Sequence, residues 1–146
     1  LQGKTLVAER GAGAYSGDRR LQVAPAADVS TMSAALYAGP KRHPELYERV
    51  RELRPTLGPR VFARSAGMEY VAMTEGNLHY AMFTQEMPWD HAAGWLLHRE
   101  SGGYAAYLDG AAYRPVEENK PYLLAPDEAS WTTLRDLFTR GESPLG

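Results

Sequence analysis

The chain has no cysteine in its 146 residues. That excludes disulfides, thiol catalysis and cysteine zinc sites, and it favours a reducing compartment, so a cytoplasmic location is expected. No apolar run comes near the roughly 20 residues that a membrane span requires, and no signal-peptide pattern precedes the first strand-like segment. Charge of one sign is missing too: 16 Lys and Arg stand against 18 Asp and Glu, for a net charge of -2. The two signs are mixed along the chain without a basic block, so neither nucleic acid nor a membrane surface is an expected partner. What is present is 44% hydrophobic residues, 10% of the chain being aromatic, ample for one packed core. A small molecule is the remaining ligand class. The first residue is Leu1 rather than methionine, and the chain is expected to be a piece of a longer protein.

Turn chemistry and apolar periodicity divide the chain. Thr5 to Glu9 and Arg20 to Val23 read as a hairpin joined through glycines and the Ser16-Gly17-Asp18 turn. "TMSAALYAG" is apolar enough for a buried strand. Pro44 at a first helical position, with Leu46, Tyr47, Val50 and Leu53 at helical spacing, predicts a helix closed by Pro55 and Gly58. "RVFA" reads as a short strand. "SAGMEYVAMTEG" reads as a helix capped by Ser65 and stopped by Gly76, with Met68, Val71 and Ala72 inward. "LHYAMF" alternates as a strand does, and "GYAAYLDGAAYRPV" reads as a second hairpin turning at Asp109-Gly110. "YLLAP" reads as a buried strand, and Asp127 as the cap of a last helix with Trp131, Leu134, Leu137 and Phe138 inward. Strands alternating with helices predict a layered α/β domain with a mixed sheet.

The stretch "PWDHAAGWLLHRESGG", residues 88–103, raises the question of function. Asp90 can cap a helix starting at Ala92. It can also present a carboxylate oxygen to a hard cation such as Mg²⁺, and the two roles are compatible. Helix N-termini carry unpaired N–H groups and suit a phosphate, and Ser65 with Ala66 opens a second such helix. His79, His91 and His98 do not make a transition-metal site with Asp90, because adjacent residues diverge on a helix and His98 lies seven after His91. A surface or cap role is expected of them. Glu69 and Glu100 are expected to face solvent, and Gly11 with Gly13 to form a hairpin connection rather than a dinucleotide loop.

Taken with the downstream "LDG", the stretch from Pro88 to Gly103 resembles the second signature of the inositol monophosphatase family of Mg²⁺-dependent phosphatases. "TLVAERGAGAYSGDRRLQV" and "RSAGMEYVAMTEGNLHYAM" are similar to further segments of the family, in the same order. The resemblance covers nearly the whole chain but only the family's C-terminal half. It implies the C-terminal domain of that fold over residues 1–146, Mg²⁺ as cofactor with Asp90 as a metal ligand, and a small phosphorylated substrate. Arg64, Ser65, Ala66, Phe83 and Asp90 are the substrate-binding positions it implies.

Three departures stand out. Arg64 occupies a position where the family has glycine, His79 one where it has aspartate, and Phe83, seven residues before Asp90, one where inositol-specific members have glutamate. A phenylalanine cannot accept hydrogen bonds from a polyol, which argues against an inositol phosphate. The family's aspartate-proline-x-aspartate-glycine-threonine motif is not in this chain, so no catalytic residue is assigned within it. The expected reading is Mg²⁺-dependent hydrolysis of a phosphate monoester, completed by a missing N-terminal half or a second subunit. A homo-oligomer is expected, formed over an apolar patch left by that missing half. The alternative is a non-catalytic binding module or remnant domain.

Overall fold

The computed structural model describes residues 5–62, 65–84, 88–114 and 120–140, and for residues 88–90 the backbone alone. Its first unit is an antiparallel meander of β1 (Leu6–Glu9), β2 (Gly13–Ser16) and β3 (Arg19–Arg20), in that order. The expected pairing of Thr5–Glu9 with Arg20–Val23 is therefore corrected: an unforeseen strand, β2, lies between them. The turn from β1 to β2 is tight because Gly11 and Gly13 take φ of +80° and +89°, a region that glycine enters without steric cost, and Ala12 N–H closes it on the Glu9 carbonyl at 2.9 Å. Val23 donates instead to the Ser101 carbonyl, at 3.0 Å.

The second sheet contains β4 (Ala34–Tyr37), β5 (Tyr80–Phe83), β6 (Tyr104–Tyr107) and β7 (Tyr122–Ala125), in the order β4-β5-β7-β6. β4 and β5 are parallel and the other pairs antiparallel, so the sheet is mixed and the expected α/β class is observed. Among the described residues four helices accompany it: α1 (Pro44–Leu53), α2 (Ala66–Thr74), α3 (Pro88–Glu100) and α4 (Glu128–Thr139). α1 and α4 cover one face of the sheet, α2 and α3 the other, and α3 also packs on β1 and β2 of the meander.

Successive side chains on a strand point to opposite faces, and both faces here are covered. Ala34, Leu36, Tyr80, Met82, Leu123 and Ala125 join Val50, Leu53, Trp131, Leu134 and Phe138 in one core. Ala35, Ala81, Phe83, Tyr107, Tyr122 and Leu124 join Tyr70 and Met73 in the other. All four residues of β5 are consequently buried, where alternation alone suggested one wet face.

Several local expectations change for physical reasons. Pro44 does open α1, and Arg54–Thr56 ends it as a 3-10 turn containing Pro55. Of "RVFA", the described residues 60–62 form a bridge from Arg60 to Ala34 rather than a strand. α2 buries Glu69, Tyr70, Met73 and Thr74 rather than Met68, Val71 and Ala72, because its polar groups find partners inside: Thr74 Oγ1 donates to the Tyr70 carbonyl at 2.9 Å. The Asp109-Gly110 turn forms, with Gly110 at φ +90° and Asp109 accepting from Ala111 N–H at 2.8 Å, but the strand that pairs with β6 is β7. Asp127 caps α4 as expected, accepting from Ser130 N–H at 2.7 Å.

Candidate active site at the carboxyl ends of parallel strands

Arg60 bridges Ala34 in parallel, and Val61 N–H donates to the Ala34 carbonyl at 2.8 Å. Three neighbouring extended segments, residues 60–61, β4 and β5, thus run in one direction and leave the sheet at one edge. α2 starts a few residues beyond the first of them, with Ser65 as N-cap accepting from Met68 N–H at 3.3 Å. α3 starts beyond β5, at Pro88. Both helix N-termini, the ends that favour anions, therefore lie at the edge where open α/β sheets bind ligands.

The first helical residue is Pro88, a position where its missing N–H costs nothing. Asp90 is then the third residue of α3, inside the first turn, and the expectation that it caps a helix beginning at Ala92 is corrected. A carboxylate in that turn complements the helix dipole. Ser65 and Ala66 are at the start of α2 as expected; Arg64 and the side chain of Asp90 lie outside the described residues.

An aromatic row crosses the sheet at this edge, because the register aligns Tyr37 with Phe83, Phe83 with Tyr122, and Tyr122 with Tyr107. Phe83 is 5% exposed. Its ring stacks on Tyr37 at 5.7 Å and on Tyr70 at 5.8 Å, and His91 meets it edge-on at 4.7 Å. The position implied for substrate contact is thus a wedge beneath other rings, and what lies nearer the surface is half-buried Tyr37 and exposed Phe62. Thr84 Oγ1 donates to the Tyr37 carbonyl at 2.8 Å, tying the ends of β4 and β5 together.

The Tyr37 hydroxyl donates to Glu69 Oε1. Glu69 is fully buried, so its expected exposure is corrected: a carboxylate goes inside when a donor meets it there. Burial first, then the hydrogen bond and charge of Glu69, raise the Tyr37 pKa to about 12, with Arg60 pulling the other way. Neither residue was assigned to the site from sequence. Tyr37 ends an apolar run and Glu69 sits within an apolar helix, and only the pairing of β4 with β5 brings the two together.

The histidines are dispersed, and the expected surface or cap role is corrected for two of them. His79 lies at the far edge, its Nδ1 accepting from Ser33 N–H at 3.1 Å. His91 is buried, with Nδ1 2.9 Å from the Tyr70 hydroxyl. His98 is 1% exposed against Gly103, where a Cβ would fall 2.2 Å from its ring. Glu100 stays partly exposed while accepting from Gly13 N–H at 3.0 Å, and such backbone donors hold its carboxyl below the usual range. Among the described residues no group of three or more His, Asp or Glu is placed to hold a metal ion. A groove of about 840 Å³ lies elsewhere, between α1 and α4, but two of its arginines, Arg49 and Arg140, are already paired with Glu52.

The family model described as the inositol monophosphatase family matches residues 1–137. This chain belongs to that family. It is 30% identical over 105 residues to an inositol-1-monophosphatase of Mesorhizobium japonicum, covering 70% of this chain and 40% of the relative. It is 26% identical over 126 residues to the Nus factor SuhB of Xylella fastidiosa, covering 83% and 45%. Among solved structures, the SuhB extragenic suppressor protein of Bartonella henselae superposes with a TM-score of 0.81 at 21% identity, over 95% of this chain and 54% of that one. Staphylococcal IMPase-II gives 0.78 at 24%, over 91% and 53%. The fold is therefore that of inositol monophosphatase and SuhB proteins, and this chain spans less than half the length of the curated relatives. Among the described residues no helix is long and apolar enough to cross a membrane.

Proposed function

We propose that the chain is the C-terminal part of a Mg²⁺-dependent phosphomonoesterase, contributing Asp90 as one metal ligand and the start of α2 as part of the substrate pocket. The observation that carries this reading is the convergence of the α2 and α3 N-termini at the carboxyl ends of β4 and β5, in a chain of a family whose relatives include a named phosphatase. The donor chemistry fits the metal as far as this chain goes: Asp90 supplies a hard oxygen, and Mg²⁺ is commonly held by one or two carboxylates with substrate phosphate and water. The other protein ligands come from outside the described residues. A Mg²⁺ ion bound there supplies Lewis-acid polarisation of the phosphate and a water of lowered pKa.

The residues of this chain do the positioning. The free N–H groups in the first turn of α2 face the edge where a phosphate would sit, and Ser65 sets that turn through its cap. Asp90 is held at the start of α3, whose first turn is packed through His91 against Tyr70 and Phe83.

Phosphate release by the intact protein, titrated with Mg²⁺, tests this. Asp90→Asn should fall below about a hundredth of the parent rate, beyond the 10–100-fold typical of groups that only support a ligand, with an unchanged circular dichroism spectrum. Near-parent turnover at limiting Mg²⁺ sinks the metal role. The 146-residue chain alone should release no phosphate that EDTA can abolish.

A further inference from the structure

Phe62 is 63% exposed, at the same sheet edge as the two helix N-termini. Single exposed apolar residues are ordinary, but this one belongs to a braced assembly. The Arg60 guanidinium lies over one face of its ring, 5.1 Å from the centroid, and Arg60 is itself anchored by a 2.9 Å hydrogen bond to the Leu36 carbonyl. Tyr37 meets Phe62 edge-on at 6.3 Å and 81°. Tyr37 in turn is fixed on its ring face by Phe83, nearly coplanar at 4°, at its hydroxyl by Glu69, and at its carbonyl by Thr84. Val7, on β1 of the meander, is the other large apolar residue exposed among those described.

The chemistry offered at this edge is specific. The Tyr37 hydroxyl hydrogen is committed to Glu69, which leaves its oxygen only as an acceptor, and Phe62 and Phe83 carry no hydrogen-bonding group, so this wall presents mainly ring faces and a guanidinium. A wall built mainly of ring faces pairs few of a polyol's hydroxyls, and each hydroxyl buried there without a partner lowers its affinity. Flat π systems instead stack on aromatic and guanidinium faces whatever their edge chemistry. The wall is rigid before any ligand arrives, so little ordering cost falls on binding.

We propose that Phe62, Tyr37 and Arg60 form a stacking wall that selects phosphate esters whose alcohol carries a flat aromatic ring, a nucleoside phosphate being the biological form of that chemistry. This deepens the phosphatase reading and rests on it. The ring lies against Phe62 and the edge of Tyr37 while the phosphate reaches the start of α2. Glu69 and Phe83 are positioning residues that act through Tyr37.

The test is kcat/KM of the intact protein on four esters: phenyl phosphate, adenosine monophosphate, glycerol 2-phosphate and inositol 1-phosphate. The two aromatic esters should be preferred by about tenfold or more, as one stacked ring supplies. Phe62→Ala should lower the ratio of phenyl to glycerol phosphate turnover by about the same factor, through KM rather than kcat. Equal turnover of all four esters, or a Phe62→Ala variant that loses all four in parallel or changes oligomeric state without changing the ratio, overturns the wall while leaving the phosphatase intact. If no ester is hydrolysed, the phosphatase reading fails, and saturation-transfer NMR with phenyl phosphate then judges the wall alone. Transfer to the phenyl protons that is lost in Phe62→Ala upholds the wall, and absence of transfer in the parent protein overturns it.

Discussion

The two faces of the mixed sheet are built from the same four strands and carry different chemistry. Towards α1 and α4 the core is almost wholly apolar: Leu36, Met82, Leu123, Trp131, Leu134 and Phe138 fill it, and the Trp131 indole is satisfied by the Leu123 carbonyl at 3.1 Å. Towards α2 and α3 the same burial takes in Glu69, Thr74, His91 and His98. Buried polar groups cost free energy unless they are paired, and a fold that concentrates them on one side accepts that cost where it needs fixed geometry. The α1/α4 face holds the sheet together, and the α2/α3 face carries the edge at which those two helices begin.

The sharpest break of this contrast is Trp131→Ala. Removing a large buried aromatic costs about 3–5 kcal/mol, and Trp131 belongs to the α1/α4 core rather than to the cluster of Tyr70 and Phe83, so a folded Trp131→Ala protein should keep the proposed Mg²⁺-dependent turnover. Urea denaturation and a rate measured well below the midpoint check both parts. Turnover lost in a protein that remains folded shows that the two faces are not separable.

A comparable effect is expected from acid on the other face. Burial lowers the His98 pKa from 6.5 to about 4, partly offset by the Ala125 carbonyl. The unfolded chain binds this proton at a higher pH than the folded one does. Stability is therefore complete above about pH 6.5 and falls as the pH drops towards 4, by on the order of 3 kcal/mol from this group. Denaturation midpoints at pH 7, 5.5 and 4.5 should fall in that order, and His98→Leu should flatten the profile. An unchanged slope in His98→Leu assigns the acid sensitivity elsewhere.

Gly94→Ala is a smaller perturbation aimed at the seam between α2 and α3. A Cβ there would sit 2.3 Å from Cδ2 of Tyr70. That ring cannot swing away, because Phe83 stacks on it and His91 lies 2.9 Å from its hydroxyl. Overpacking of this kind costs about 1–3 kcal/mol. The strain passes through Phe83 to Tyr37, so selectivity among esters should change along with stability. Tyr70→Leu in the same chain should restore part of the lost stability, and no recovery places the strain outside this contact.

The difference between the faces also explains what could be read from sequence. α1 and α4 were legible because their apolar stripes face one core and their signals, Pro44 and the Asp127 cap, are local. α2 was misread in orientation because it lies between a sheet and a second helix, and its inward face is set by partners rather than by hydropathy: Glu69 goes inside to meet Tyr37. The placement of Asp90 and of Ser65 with Ala66 near helix starts was legible because each lies in a contiguous motif. Tyr37 and Phe62 were not, since their meaning comes from a parallel pairing between segments far apart in the chain. The strand β2 was missed because its Gly13 and Ala14 look like linker, although Ala14 is fully buried.

The finest comparison sets two helix caps against each other. Asp127 accepts from Ser130 N–H at 2.7 Å at the start of α4, and Ser65 accepts from Met68 N–H at 3.3 Å at the start of α2. Both side chains are acceptors for an otherwise unpaired donor, and replacing such a cap by alanine costs about 0.5–2 kcal/mol. The shorter, charged Asp127 contact also complements the helix dipole, so Asp127→Ala should cost about 1 kcal/mol and Ser65→Ala about half that, within the range for caps. The order should reverse for function. α4 starts on the structural face, and Asp127→Ala should leave KM for a phosphate ester untouched. Ser65→Ala loosens the first turn of α2, whose N–H groups are the proposed phosphate contacts, and should raise KM by a few fold with the smaller loss of stability. Thermal denaturation beside steady-state kinetics on the two variants separates these outcomes, and equal KM values for both would mean that the start of α2 is a cap and nothing more.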